Sequence, residues 1–494
     1  MKRLVLILMV ACLLALGGQS FAELCTIDAV PAATLLLPVF KVDIGDDNGN
    51  GVADCADGVG IDTLFSINNA SAAPALAHVV LWTDWSWPSL DFDVYLTGYD
   101  MQSVSLCQVI ANGSLPVTAD VQSDPDDEIS PSPWGQDISV EGCANIFPFP
   151  DPVLTGGILD RVQTAHTGQV VPGLGPASDG ACDPGDCCTG NDFGDDIARG
   201  YVTVDNAHRC SLLFPNQEGY FGPGGSGVVA SNQNVLWGDY FKIDRANAFA
   251  QGDTLVHIEA DESLEIANQG PNAATGYTFY GRYSSTGPFQ GWDAREPLGT
   301  TWAARYLNGG PFNGGTKFSV WRDSTANLPG LDINRGWACG SCAAGSVVGP
   351  AWCPLNETQV VCFDEQEDCE ELCFEFGGGV VSPPTLPTDP VCFPLESNHV
   401  QVGTGDLVPS WPFGWCYLNL NHSFGGFPGG APWPPGGGPI AQSYVSVSHD
   451  ALGLYSVGYS AIELTSACSD ADPLIDTLND PVDGPTDPPG VPLP

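Results

Sequence analysis

The stretch "DIGDDNGNGVADCAD", residues 43 to 57, packs carboxylates and amides around two glycines. Calcium takes six to eight oxygen ligands, and a twelve-residue loop supplies them from positions 1, 3, 5, 7, 9 and 12, with glycine at 6 for the sharp turn. Read from Asp46, those positions hold Asp46, Asn48, Asn50, the carbonyl of Val52, Asp54 and Asp57, and Gly51 stands at 6. Each is an oxygen donor of the right kind, so the spacing predicts a Ca2+ loop. Asp57 replaces the bidentate Glu usual at position 12 of an EF-hand. The flanking runs "LLLPVFKVDI" and "IDTLFSI" read as strands, so helices are not expected on either side. The plainer reading is a metal-free acidic turn. A second acidic loop, "DGACDPGDCCTGNDFGDD" (179 to 196), has no ligand spacing that matches a known pattern.

Other residue groups offer weaker chemistry. Trp82, Trp85 and Trp87 in "WTDWSWPS" suit an aromatic platform for sugar rings, with Trp85 and Trp87 on one face of an extended segment; core packing is the competing use of such rings. The same choice applies to Trp411, Trp415 and Trp433. In "HIEADE", His257, Glu259 and Asp261 alternate, which suits a metal or acid/base cluster but equally a solvated sheet face. Cys339, Cys342, Cys353 and Cys362 have the look of a zinc or redox set. In an exported chain, structural disulfides explain them better. The sequence contains no H-E-x-x-H, G-x-S-x-G, S-x-x-K or G-x-x-x-x-G-K-[ST] signature. With 59 acidic residues, any carboxylate pairing for glycoside hydrolysis is unspecific. No catalytic residue is assigned, and a non-enzyme is favoured.

The elements that must carry these residues are short and strand-like. Gly and Pro together number 102 of 494 residues, and they punctuate runs such as "ATLLLPVF", "TLFSINNAS", "ALAHVVLWTD", "LDFDVYLTGY", "GYVTVDNA", "TLVHIEA", "YTFYGRY", "TWAARYL", "TKFSVWRD" and "YVSVSHD". In "LDFDVYLT", Leu90, Phe92, Val94 and Leu96 alternate with Asp91, Asp93, Tyr95 and Thr97. The alternation predicts one buried and one wet face, and hence antiparallel sheets. Helix is expected only at 155 to 166 and at 367 to 373. The fold class is therefore all-β: two antiparallel β-sandwich domains with long Gly/Pro/Cys-rich loops and little helix. The expected division is 23–250 and 251–468, with a loop-rich, stapled insertion at 339–392 and a disordered Pro/Asp-rich tail at 469–494.

Lys2 and Arg3, the apolar run from Leu4 to Leu16 and the site Ser20-Phe21-Ala22 read as a secretory signal cleaved after Ala22. A lipoprotein site at Cys12 fits less well, because apolar residues continue beyond it. The run is too short to span a bilayer. Loss of residues 1–22 leaves 12 basic against 59 acidic residues, a balance of −47. That disfavours nucleic acid and anionic membranes as partners. Asp outnumbers Glu by 43 to 16, which suits turns and cation loops. Seventeen cysteines remain outside the signal, so disulfides are expected, with at least one thiol left over or paired between chains.

Residues 46–57 resemble the calcium loops of dockerins and thrombospondin type 3 repeats, in which Asp commonly closes the loop and a cysteine lies inside it, as Cys55 does here. The resemblance implies the ion and not the fold or partner of those families. The segments "TLFSINNASA", "LDFDVYLTGYD", "TTWAARYLNGG", "SVWRD" and "YSVGYSAIEL" are similar to those of uncharacterised secreted bacterial proteins, which implies export to the periplasm or beyond. The expectation is an exported, calcium-stabilised, disulfide-stapled structural or adhesive surface protein, whose partners are calcium and surface polysaccharide or another surface protein. The alternative is a secreted carbohydrate-binding or carbohydrate-degrading protein.

Overall fold

The computed structural model describes residues 30–84, 86–116, 143, 146–148, 152–169, 190, 193–215, 217, 219–222, 228–262, 278–280, 293–299, 301–322, 359–366, 368–374, 393, 395–403, 407–420 and 442–465. The expected signal at 1–22, the tail at 469–494, Trp85, Trp433 and most of the Cys-rich insertion lie outside them.

The first half carries β1 (Thr34–Asp43), β2 (Ile61–Asn69), β3 (Ala75–Thr83), β4 (Pro88–Leu96), β5 (Met101–Ser105), β6 (Ile197–Ala207), β7 (Leu236–Trp237), β8 (Asp239–Asp244), β9 (Phe249–Thr254) and β10 (Val256–Ile258). Two helices join them, the single turn α1 (Asp54–Asp57) and α2 (Gly156–Thr167), with a wide π turn at Cys107–Ala111. The second half carries β11 (Thr301–Leu307), β12 (Gly315–Arg322), β13 (Gln359–Phe363), β14 (Cys369–Phe374), β15 (Ser397–Val402), β16 (Phe413–Asn419), β17 (Ser443–Ala451), β18 (Tyr455–Ser460) and β19 (Ile462–Thr465).

These strands form four antiparallel sheets that do not close into a barrel, as the all-β reading requires. Sheet one has the order β10-β1-β6-β3-β4 and sheet two β5-β2-β8-β9, with β7 beside β2. Sheet three is β14-β13-β16-β11-β19 and sheet four β15-β12-β17-β18. β9 runs through residue 250, and β10 joins sheet one, so the first half extends to Ile258. Pro38 has no N–H to give the ladder, and β1 shifts register against β6 between Leu37 and Phe40.

Sheet one is the centre of the molecule. Leu35, Leu37, Val79, Leu81, Phe92 and Val204 on one face pack with Phe65, Ile67 and Tyr240 of sheet two. The other face, with Leu36, Val80, Trp82, Tyr95 and Tyr201, shares a core with Trp302, Phe318, Trp321 and Val445 of the second half. Trp82 stacks on Tyr201 at 5.8 Å, and Tyr201 meets the edge of Trp321 at 6.0 Å. The alternation in β4 therefore does not mark a wet face. Asp91, Asp93 and Tyr95 are all buried, and the loop after β6 lies over this face, with Ser211 on Asp93 and Tyr220 against His78. Asp93 survives burial by pairing, whereas burial pushes the Asp91 carboxyl up to about 6. Asp93 holds His78 at 2.9 Å and accepts the Ser211 N–H at 3.0 Å. Burial opposes protonation of His78, but Asp93, Asp91 and Asp205 outweigh it and hold the imidazole above its usual range.

Beside this pair lies a buried network around Arg295. Asp205 on β6 accepts hydrogen bonds from Thr34 Oγ1 at 2.5 Å, from the Tyr220 hydroxyl and from the Tyr280 hydroxyl at 2.9 Å. The Arg295 guanidinium donates to Thr34 Oγ1, lies 3.4 Å from Asp205 and 3.5 Å from Asp293, and donates to the Ser231 carbonyl at 3.1 Å. Burial and the neighbouring Asp205 raise both tyrosine hydroxyls well above their usual range, so they serve as donors. Arg295 and Tyr280 belong to the segment that leads from β10 into the second half, so the network fastens that connection to sheet one.

The helix expected at 155–166 is present as α2, closed by Gly168 in the left-handed conformation at φ 75°. The helix expected at 367–373 is instead β14, because Val360 to Phe363 pair antiparallel with it, with a register shift between Val360 and Val361, across a tight turn at Asp364. This hairpin gives the Cys-rich region a share of the core, with Val360 and Cys362 fully buried. No helix among the described residues is long and apolar enough to cross a membrane.

His166 on α2 titrates in a way that can be tested. It is buried, its Nδ1 meets the Arg199 carbonyl at 2.8 Å, its Nε2 meets Ser89 Oγ at 2.6 Å, and burial lowers its pKa to about 4. The unfolded imidazole titrates near 6.5, so between pH 6.5 and 4 the unfolded chain binds the extra proton and stability falls with pH. Urea unfolding at pH 7 and pH 4 should show His166→Gln losing about 3 kcal/mol less on acidification than the parent. Equal losses would mean that His166 is not held neutral.

Candidate functional site

Loop 46–57 is built by short-range polar geometry at the end of β1. The Asp46 carboxylate accepts the N–H groups of Asn50 at 2.9 Å and Gly51 at 2.8 Å. Asn48 Oδ1 accepts the Asn50 N–H at 3.0 Å, and Asn50 Oδ1 accepts the Val52 N–H at 2.8 Å. Gly49 and Gly51 have φ of 69° and 81°, a region that glycine enters without Cβ strain. The chain then enters α1, which carries Asp54 at its start and Asp57 at its end. Asp57 Oδ2 receives Asn48 Nδ2 at 2.6 Å and Asn50 Nδ2 at 3.1 Å, so three of the sequence-predicted residues meet at one point. A half-turn of either amide would present its oxygen there.

Asp54 is the informative member. It is 4 % exposed, its Oδ2 accepts the Asp47 N–H at 3.2 Å, and its Oδ1 has no hydrogen-bond partner. A buried carboxylate oxygen left without a donor is costly unless a cation or proton meets it. Asp43 lies close by. A Cβ at Gly60 would come within 2.8 Å of its side chain, and burial and then Asp54 and Asp47 raise its pKa. The twelve-residue pattern missed Asp43 because it precedes the loop and comes near only through the return of the chain at Gly60.

The site's donors are therefore carboxylates, amides and a carbonyl from one continuous segment. Asp46, Asn48, Asn50, Val52 and Asp57 lie at the surface, and Asp54 beneath them. Among the described residues, no group of three or more His, Cys, Asp or Glu side chains stands in metal-holding geometry. A cation here would depend on the asparagine oxygens and the Val52 carbonyl as well as on the carboxylates. That donor set suits a hard ion such as calcium and fits neither zinc nor copper.

The other sequence candidates separate. His257 is buried on β10 and receives the Gly238 N–H at Nε2, 3.3 Å. The strand ends at Ile258, so His257, Glu259 and Asp261 do not form one alternating row. Trp82 is in the core, and Trp87 is half-buried in a tight turn where its N–H donates to Thr83 Oγ1 at 3.1 Å. The extended segment expected there is absent. Trp415 is 39 % exposed on β16 and stacks on Phe363 at 4.7 Å, with Phe413 also exposed two residues before it. Of the second acidic loop, residues 190 and 193–196 are described. Asp195 is engaged by Arg199 at 2.7 Å through both guanidinium nitrogens.

Comparison of the chain with protein-family models, with curated proteins and with solved structures finds no match.

Three disulfides are formed among the described residues, Cys55–Cys107, Cys143–Cys210 and Cys362–Cys416, and Cys369 is unpaired. The first ties α1, and so the loop, to the π turn in the core of the first half. It spans 52 residues, a closure worth about 4 kcal/mol in the chain-entropy account. The double variant Cys55→Ala, Cys107→Ala should lose about 2–5 kcal/mol in urea unfolding and expose loop 46–57 to protease before the rest of the chain. Unchanged stability and cleavage would mean the loop is held without this bond.

Proposed function

We propose that this is an exported structural or adhesive protein of the cell exterior, stabilised by calcium in loop 46–57 and by disulfides, rather than an enzyme. The observation that carries the reading is the buried Asp54 carboxylate oxygen without a donor, beneath a loop in which the Asn48 and Asn50 side chains already meet Asp57. Asp46, Asn48, Asn50, the Val52 carbonyl, Asp54 and Asp57 would hold the ion, and the ion would offset a charge balance of −47 where carboxylates crowd most. The loop's mixed, partly amide donor set corresponds to the weak end of calcium sites, about 10⁻⁴–10⁻³ M, which suits extracellular calcium levels. The disulfides suit an oxidising compartment, and the signal-like residues 1–22 agree with export.

A second reading, carbohydrate binding, draws on the exposed outer face of sheet three, where Trp415, stacked on Phe363, and Phe413 offer flat apolar surface.

A ligand that binds only the folded state raises its stability, by about 2.7 kcal/mol at one hundred times Kd. Calcium in the millimolar range should therefore raise the melting temperature of the purified protein by several degrees over EDTA, and magnesium should do less. The variant Asp46→Ala, Asp57→Ala should not respond. A parent that melts identically in calcium and EDTA, or a variant that responds like the parent, overturns the calcium site. For the second reading, retention on a polysaccharide column lost in Trp415→Ala, with an unchanged melting temperature, would establish a glycan site. Absence of retention by the parent across a glycan panel would remove it.

A further inference from the structure

Outside the signal, the chain has only three lysines, Lys41, Lys242 and Lys317. They come from β1, β8 and β12, which belong to three different sheets, yet all three act electrostatically on His399 and on one another. In a chain with 59 acidic residues, three ammonium groups gathered at the seam between sheet two and sheet four call for an explanation.

The seam is made of two facing polar rows. On sheet two, Thr63, Lys242 and Gln251 lie opposite one another across β2, β8 and β9. Lys41 is fixed above Thr63, whose hydroxyl accepts the Lys41 N–H at 3.2 Å and donates to the Lys41 carbonyl at 2.8 Å. On sheet four, His399, Ser319, Ser446 and Ser460 form the matching row across β15, β12, β17 and β18. Lys317 precedes Ser319 by two residues and so shares its face. The rows touch where Lys242 Nζ donates to Ser319 Oγ at 3.2 Å, and Ser319 Oγ meets His399 Nδ1 at 2.9 Å.

What the seam lacks is a carboxylate in direct contact with Lys41 or Lys242. Lys317 lies 3.9 Å from Asp450, whereas neither Lys41 nor Lys242 has a carboxylate of the described residues within ion-pair distance. Asp195 and Asp244 act on Lys41 and Asp253 on Lys242 from farther off, and each is hydrogen-bonded elsewhere, Asp195 to Arg199, Asp244 to Asn247 and Asp253 to the Ser460 hydroxyl at 2.9 Å. Lys242 is 5 % exposed and Gln251 2 % exposed, and Gln251 Nε2 has no hydrogen-bond partner. A buried ammonium without a counter-charge is unfavourable. Burial and then neighbouring cations lower the pKa of Lys41 and of Lys242 to about 7. A bound anion would supply the direct counter-charge that both ammonium groups lack.

We propose that the seam between sheets two and four is a binding site for a single small oxyanion, a carboxylate, phosphate or sulfate group, held by the ammonium groups of Lys41 and Lys242 and the amide of Gln251, with Lys317 at the rim. The donors are of the type that recognises oxyanions. Lys317, with 38 % of its side chain exposed, opens the seam to solvent. The strongly acidic chain would repel an extended polyanion, so the fitting ligand carries its negative charge on one compact group. The site shares no residue with the calcium loop and stands or falls independently of it.

The test is isothermal titration of the full protein with inorganic phosphate and with sulfate at pH 6.5, with chloride holding ionic strength constant. Saturable binding of one anion per chain is expected, weakened at least tenfold in Lys242→Met and in Lys41→Met, each checked for parent-like circular dichroism. The scarcity of lysine supplies a readout that needs no variant. Saturating phosphate should slow acylation of Lys41 at least threefold, read by mass spectrometry. No saturable binding of either anion by the parent overturns the proposal. So does binding that persists unchanged in the folded variants while Lys41 acylation stays the same, since the anion would then sit elsewhere. Should Lys242→Met fail to fold, Lys41→Met and the acylation rate decide.

Discussion

A guanidinium buried among two carboxylates, two tyrosines and a threonine is the constraint on which the architecture turns. Arg295 brings no apolar surface that a leucine would not supply better, and its desolvation is costly unless each donor finds an acceptor. Here Thr34, Asp205, Asp293 and the Ser231 carbonyl meet it, and Phe221 and Tyr280 flank it with ring centroids at 5.3 and 5.7 Å. These partners come from β1, β6 and two connections, β6–β7 and β10–β11. The network forms only when the connecting segment lies against the face of sheet one that meets the second half, and that placement gives Phe279 its stacking contact with Trp321 at 5.5 Å. Aromatic packing then continues from the first half to the second without an intervening polar layer.

The same economy explains the composition. Many aspartates serve the backbone rather than a partner chain. Asp46 fastens Asn50 and Gly51, Asp100 accepts the Thr97 N–H, Asp244 closes the turn at Asn247, and Asp364 closes the β13–β14 hairpin by accepting from Gln366 and Asp368. Each needs a short acidic side chain close to its own main chain, which Asp provides and Glu does not. The excess of Asp over Glu thus reflects a fold made of strands and tight turns. Its electrostatic cost concentrates where turns meet, as at Asp43, Asp47 and Asp54.

Strand positions were legible wherever apolar residues ran continuously or alternated, as in "ALAHVVLWT" and "TKFSVWR". They were illegible where strands were short or polar, as in β8, β9 and β15. The wet face assigned to Asp91 and Asp93 failed for a reason no local pattern contains: the loop after β6, more than a hundred residues on, folds over it. The loop at 46–57 was readable because its partners lie within twelve residues. His78 with Asp93, Arg295 with Asp205, and Lys242 with Ser319 are separated by 15, 90 and 77 residues, and only strand pairing and the packing of sheets bring them together. The apparent helix at 367–373 shows the converse error, since its acidic residues suit a helix while its pairing with β13 makes it a strand.

The fastening of the connection between halves bears on how the molecule would carry force. A free linker would let two sandwiches swing and would transmit tension as a slack tether. In this chain the segment after Ile258 is bonded back to sheet one through Arg295 and to Glu259 and Ala294 by its own backbone, while Ser397 and Glu396 of the second half donate to the Gly200 and Asp84 carbonyls. A pull on the two halves would therefore load buried hydrogen bonds and stacked rings together, and the halves would resist separation as a unit.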